Sequence, residues 1–155
     1  MHRWLARTLL AIVTLGILVA PTALDASPAL AAWCNTNSCT GKDPIAMGCA
    51  SGAQTIDSFI LVPDFYVELR YSATCNAAWA RVTNHWYSNN ASQNLFVQIR
   101  GYSCSAANSS CFVGQYSQQA LFGTDYTDMF SFAYWVRACD TNWPTGDPLD
   151  CTAQH

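Results

Sequence analysis

The stretch Phe65-Tyr66-Val67-Glu68-Leu69-Arg70-Tyr71 alternates strictly, with Val67, Leu69 and Tyr71 on one face and Glu68 and Arg70 on the other. Successive side chains of an extended chain point to opposite sides, so this is a strand with one face toward a core. Pro63-Asp64 sets its start, and before it Ile56, Phe59, Ile60, Leu61 and Val62 form an apolar run rich in β-formers. Downstream, Trp79–Tyr87 repeats the pattern: Ala80, Val82 and Trp86 face one way, Arg81, Thr83 and His85 the other. Asn89-Asn90 marks a turn. In Leu95–Tyr102, Val97 and Ile99 oppose Phe96, Gln98 and Arg100, and Phe112–Ser117 and Tyr126–Ala138 complete the set. Short strands at this spacing predict a mostly β fold, a small antiparallel β-sandwich or barrel. One short N-terminal helix is expected from Pro44 to about Ala50: Asp43 suits the N-cap, Pro44 the first helical position, and Gly52 the end. No internal repeat or long linker interrupts residues 32–155, which read as a single cystine-rich β domain.

The N-terminus reads as a secretory signal peptide over residues 1–31. Arg3 and Arg7 precede an apolar run from Leu9 to Ala20, Pro21 ends it, and Ala29-Leu30-Ala31 supplies a small-x-small cleavage pattern before Ala32. The run is short of the roughly 20 apolar residues of a membrane span. Cys34 follows the large Trp33 rather than a small residue, which argues against a lipid anchor, and no paired arginines direct a twin-arginine route. The expected location is therefore extracellular, with cysteines meeting oxidant rather than glutathione.

Cleavage would remove Arg3, Arg7 and Asp25, leaving five basic and nine acidic residues, a net charge of about −4. An acidic chain whose only lysine is Lys42 lacks the basic footprint of a nucleic-acid binder or an anionic-membrane binder. Charged residues are 11% of the chain against about 25% in a typical soluble protein, so the surface must be built from Ser, Thr, Asn and Gln. A mature chain of 124 residues is long enough to bury a core of its own.

All eight cysteines, Cys34, Cys39, Cys49, Cys75, Cys104, Cys111, Cys139 and Cys151, follow the leader. The even count points to four bridges among about 105 connectivities. Local closure favours Cys104–Cys111 and Cys139–Cys151, leaving the first four to pair among themselves in an order that spacing does not rank. Zinc is the competing reading. With no C-x-x-C pair and only His85 and His155 in the mature chain, disulfides are preferred and no metal or other cofactor is expected.

The segment Val67-Glu68-Leu69-Arg70-Tyr71-Ser72, then Cys75 and Ala78-Trp79-Ala80-Arg81, with Asp43-Pro44 and Cys49 upstream, resembles a secreted family of Gram-positive bacteria, domain of unknown function 2690. The similarity runs from about Cys34 to Arg81, with Cys139 and Cys151-Thr152 as further points of likeness. The resemblance implies export and a cystine-stabilised domain, and it makes Cys104 and Cys111 look like an addition paired with itself. It carries no catalytic residue.

Three groups are candidates for chemistry. Glu68, the only glutamate, could be a general acid or base beside Arg70, or the partner of an arginine across strands with Arg81 opposite. A glycosidase would need a second carboxylate, for which Asp57 and Asp64 are nearest in sequence. His85 is the only internal histidine a Ser-His-Asp hydrolase could use, but no G-x-S-x-G elbow accompanies it. Asp140, Asp147 and Asp150 could supply oxygen ligands to calcium, although their spacing matches no EF-hand and Asp147-Pro148 is ordinary turn chemistry.

The aromatics point instead to binding. Trp79, Trp86 and Trp135 are expected in the core. Trp33 and Trp143, both in loops, are the expected ligand contacts. The sequons at Asn90 and Asn108 mark loops. Together these features describe a secreted monomer without catalytic residues that binds an extracellular polymer or protein, cell-wall or other polysaccharide first. The alternatives are a proteinase inhibitor presenting the Cys104–Cys111 or Cys139–Cys151 loop, and a small hydrolase using Glu68 or His85.

Overall fold

A computed structural model describes residues 32–85, 95–142 and 147–155. The expected signal segment, Trp86, the Asn90 sequon and Trp143 lie outside the described residues. Among the described residues eight strands form two antiparallel sheets: β1 (Gln54–Val62), β2 (Phe65–Ser72), β3 (Ala77–Asn84), β4 (Phe96–Tyr102), β5 (Phe112–Gln119), β6 (Gly123–Tyr126), β7 (Phe130–Ser131) and β8 (Trp135–Thr141). The first sheet runs β1-β2-β3-β6 with β7 also on β3; the second runs β5-β4-β8. This is the expected β-sandwich.

The alternation read from Phe65–Tyr71 builds the core. Phe65, Val67 and Leu69 from β2 and Ala78, Ala80 and Val82 from β3 face Val97 and Ile99 from β4 and Val136 and Ala138 from β8. All ten are buried in one cluster, which Phe130 enters from β7. Gly101 on β4 makes room for that ring: a Cβ there would fall inside the Phe130 side chain.

Two expectations need correction. Pro44–Ala50 is a succession of turns, and the helical elements among the described residues are 3₁₀ turns at Thr36–Cys39 and Ser109–Cys111. Asp43 does cap, since its Oδ1 accepts the Ile45 and Ala46 N–H groups at 2.7 and 3.0 Å. The coil ends after one turn because Gly48 takes a left-handed conformation (φ +71°), and the Cys49 and Ala50 N–H groups both reach back to the Pro44 carbonyl. Likewise, Tyr126–Ala138 is not one strand but the end of β6, all of β7 and the start of β8. Thr127 makes the break: its N–H donates to the Ala80 carbonyl and its Oγ1 accepts the Ala80 N–H at 3.1 Å, so the chain bends around β3.

The bridges are Cys34–Cys39, Cys49–Cys75, Cys104–Cys111 and Cys139–Cys151. Both local closures are as expected, and the four N-terminal cysteines pair among themselves. The first two bridges touch, with Cys34 Sγ 3.7 Å from Cys49 Sγ, and they pack with Trp79 and Met129 over one end of the first sheet's outer face. At the other sheet the C-terminal segment runs beside β8. His155 and Val136 exchange backbone hydrogen bonds, and the Thr152 N–H donates to the Ala138 carbonyl. That segment covers an edge whose backbone groups would otherwise be open to pairing. Among the described residues no helix is long and apolar enough to cross a membrane.

Candidate functional site

Register decides what Glu68 does. Glu68 on β2 stands directly opposite Arg81 on β3. Arg81 grips it with both arms, Nε to Oε2 at 2.6 Å and Nη2 to Oε1 at 2.7 Å, while the Thr55 hydroxyl donates to Oε1 at 2.6 Å. Arg70 Nη1 lies 4.0 Å away and itself donates to Thr55 Oγ1. Burial pushes the Glu68 carboxyl up, but the hydrogen bonds from Arg81 and Thr55 and the two arginine charges outweigh it, and the group is held below its ordinary range. A carboxylate so held is a poor proton donor at neutral pH.

The other catalytic candidates do not join it. Asp57 pairs with Leu69 in register and so faces away from Glu68; its Oδ2 accepts the Ala153 N–H at 2.7 Å and lies 3.5 Å from His155 Nε2. Asp64 sits in the β1–β2 turn and accepts the His85 N–H on its carbonyl. His85 is exposed just beyond β3, four residues past Arg81, or roughly 13 Å along the strand. Asp140 is fully buried and its Oδ1 accepts the Asp150 N–H, whereas Asp147 is exposed. These three aspartates do not converge: the one cluster of three or more metal-ligating side chains among the described residues is Cys34, Cys39, Cys49 and Cys75, whose sulfurs are spent on two bridges.

The outer face of the second sheet gathers a different set. Phe112, Tyr102 and Trp135 are consecutive neighbours across β5, β4 and β8, and form a row of three aromatic residues on one face. The next outward row along the strands is Gln115, Arg100 and Arg137, with the two arginines directly opposite each other. Each guanidinium lies over a ring: Arg100 is 4.8 Å from the centre of Phe112 and Arg137 is 5.0 Å from that of Tyr102. Arg137 Nη2 also donates to Tyr102 Oη at 2.8 Å, and the Tyr102 and Phe112 rings meet edge to face at 5.7 Å.

The row is half open. Phe112 is 38% exposed and Trp135 44%, while Tyr102 between them is buried. A depression of about 360 Å³ opens beside it, lined by Arg100, Tyr102, Phe112 and Arg137, by Asn108 of the tip that Cys104–Cys111 staples, and by Asp147. Exposed rings beside fixed hydrogen-bond donors make a surface that can stack flat groups and bond polar ones.

Trp33 lies elsewhere. It is 78% exposed and adjoins the cystine loop covering the first sheet, with its backbone N–H donating to the Met47 carbonyl. Trp79 is buried as expected, but Trp135 is not a core residue, because its odd position on β8 puts it on the outer face beside Tyr102. Sequence reading missed Phe112, Arg100, Trp135 and Arg137 as a group. The available signal was two strands each alternating an aromatic with an arginine at a spacing of two, Arg100/Tyr102 and Trp135/Arg137.

No curated protein and no solved structure matches the chain. A match to the family described as Protein of unknown function (DUF2690) covers residues 37–140, beyond Arg81 and into β8 of the second sheet. The chain belongs to that family.

Proposed function

We propose that this protein is an exported, monomeric binding module without catalytic residues, which holds an extracellular polysaccharide on the outer face of its second sheet. The observation that carries this reading is the row Phe112–Tyr102–Trp135, half exposed and backed by Arg100 and Arg137. Aromatic faces stack on sugar rings, and a rigid sheet presents them with little ordering cost. Export is supported by four bridges, which persist in oxidising compartments, and by the leader pattern at residues 1–31. The non-catalytic part is supported by Glu68, held by two arginines with neither a second carboxylate nor His85 beside it. Trp33 offers a separate exposed ring, and Trp143 is kept as a contact on sequence grounds alone.

The test is co-sedimentation of the oxidised protein with cell walls, chitin and cellulose, with Phe112→Ala/Trp135→Ala and the reduced protein alongside. Saturable binding that both controls lose is the expected result. Binding unchanged by the double substitution would remove this face from the account. A proteinase inhibitor is the second reading, favoured by the exposed 105–110 tip between Cys104 and Cys111. Inhibition of a protease, abolished by cleavage of that tip, would establish it instead.

A further inference from the structure

Four arginines follow the leader, and the sheets treat them in two ways. Arg70 and Arg81 on the first sheet share Glu68. Arg100 and Arg137 on the second face each other across β4 and β8, where like charges directly opposite repel, and Arg100 Nη1 also donates to the neutral Gln98 Oε1 at 3.4 Å. Among the described residues, Arg137 has one hydrogen-bond partner, the neutral Tyr102 hydroxyl, and no carboxylate within ion-pair distance, in a chain with more acids than bases. Asp147, the one carboxylate lining the depression, stands exposed at its rim. Stacking on Phe112 and Tyr102 fixes both guanidinium groups before anything binds, so little side-chain freedom remains to be lost.

We infer that the Arg100–Arg137 pair is a recognition site for an oxyanion, a carboxylate or sulfate group carried on a sugar ring, and that this selects acidic over neutral polysaccharide. This rests on the reading of the face as the binding surface and deepens it. An oxyanion placed between the two forks relieves their mutual repulsion and accepts hydrogen bonds from both, while its ring lies toward Phe112 and Trp135. Arginine suits the task because its planar fork matches a two-oxygen acceptor, which the point charge of lysine does not.

The experiment is titration of the folded, oxidised protein with dextran, dextran sulfate and polygalacturonate at low and high salt. The first two share a glucan backbone and differ in their sulfate esters, and the third carries its charge as carboxylates on a different sugar. The expected result is binding to at least one charged polymer and not to dextran, weakened by salt and about tenfold weaker in Arg137→Lys, which keeps the charge but loses the fork. Arg100→Gln serves as the second variant, and thermal melting of each variant reports whether it folds. Equal binding to dextran and dextran sulfate, with loss only in Phe112→Ala/Trp135→Ala, would overturn the anion site and leave the binding face standing. Binding to no polymer at all, cell walls included, would overturn both.

Discussion

Glu68 and Asp140 are both buried carboxylates, and their surroundings set them to opposite pH responses. Glu68 ionises more readily folded than unfolded, so its stabilisation is present above the ordinary value of 4.5 and is lost as pH falls through the lowered folded value. Glu68→Gln should destabilise at neutral pH by about 2 kcal/mol, less than a fully buried pair because Arg81 is one-third exposed. The deficit should shrink toward pH 3 in denaturant melts, and an unchanged deficit there would remove the ion pair as its cause. Asp140 is the reverse case: burial, and then the charge of Asp150, raise its carboxyl against the Asp150 N–H that favours the anion. Its Oδ2 is buried without a hydrogen-bond partner. Its contribution is fully present below the unfolded value and is lost as pH rises through the raised folded one. Asp140→Asn removes the buried charge and keeps an acceptor for the Asp150 N–H, so it should stabilise by roughly 1 kcal/mol at pH 7 and by little at pH 3.

Strands were the most legible elements, because period-two alternation is local. Val67 and Leu69, Val82, and Val97 and Ile99 all face the core as their sequence positions require. What alternation could not supply was partnership. Nothing in Phe96–Tyr102 or Trp135–Thr141 says that they become neighbours in a register that sets Arg100 against Arg137 and Tyr102 against Trp135. The ligand face is a product of that register, so it was not visible in either strand alone. Trp135 shows the same limit: a tryptophan between Tyr134 and Val136 reads as core until the face it takes is known. The helix expected after Asp43 failed for a different reason, since its cap formed but Gly48 and the Cys49–Cys75 bridge ended it within one turn. Gly101 is an element-scale constraint of the same kind. Gly101→Ala would drive a methyl group into Phe130 and should cost about 3 kcal/mol. Phe130→Leu in the same chain should recover part of that loss, and thermal melts of the single and double variants check both.

At the scale of the molecule, the two sheets divide the labour. The first spends its outer face on structure: the touching Cys34–Cys39 and Cys49–Cys75 bridges cover Trp79, and Glu68 pairs with Arg81 while Arg70, at 4.0 Å from it, is tied to Thr55 and the Ala53 carbonyl. The second leaves aromatic rings and arginines toward solvent, beside a tip stapled by Cys104–Cys111. That bridge closes a short loop, so Cys104→Ala/Cys111→Ala should lower stability by about 2.5 kcal/mol while leaving the sandwich folded. Ligand affinity should fall as well, because Asn108 on that tip lines the depression. The sites in this account are separable in space, and one spectrum can tell them apart. Backbone amide shifts would be followed in the oxidised protein while a bound polysaccharide is titrated in. Perturbations concentrated on Arg100, Tyr102, Phe112, Trp135 and Arg137 are the predicted result. Perturbations centred on Trp33 and its cystine loop, or on Glu68 and Arg81, would contradict the assignment of the second sheet as the binding face.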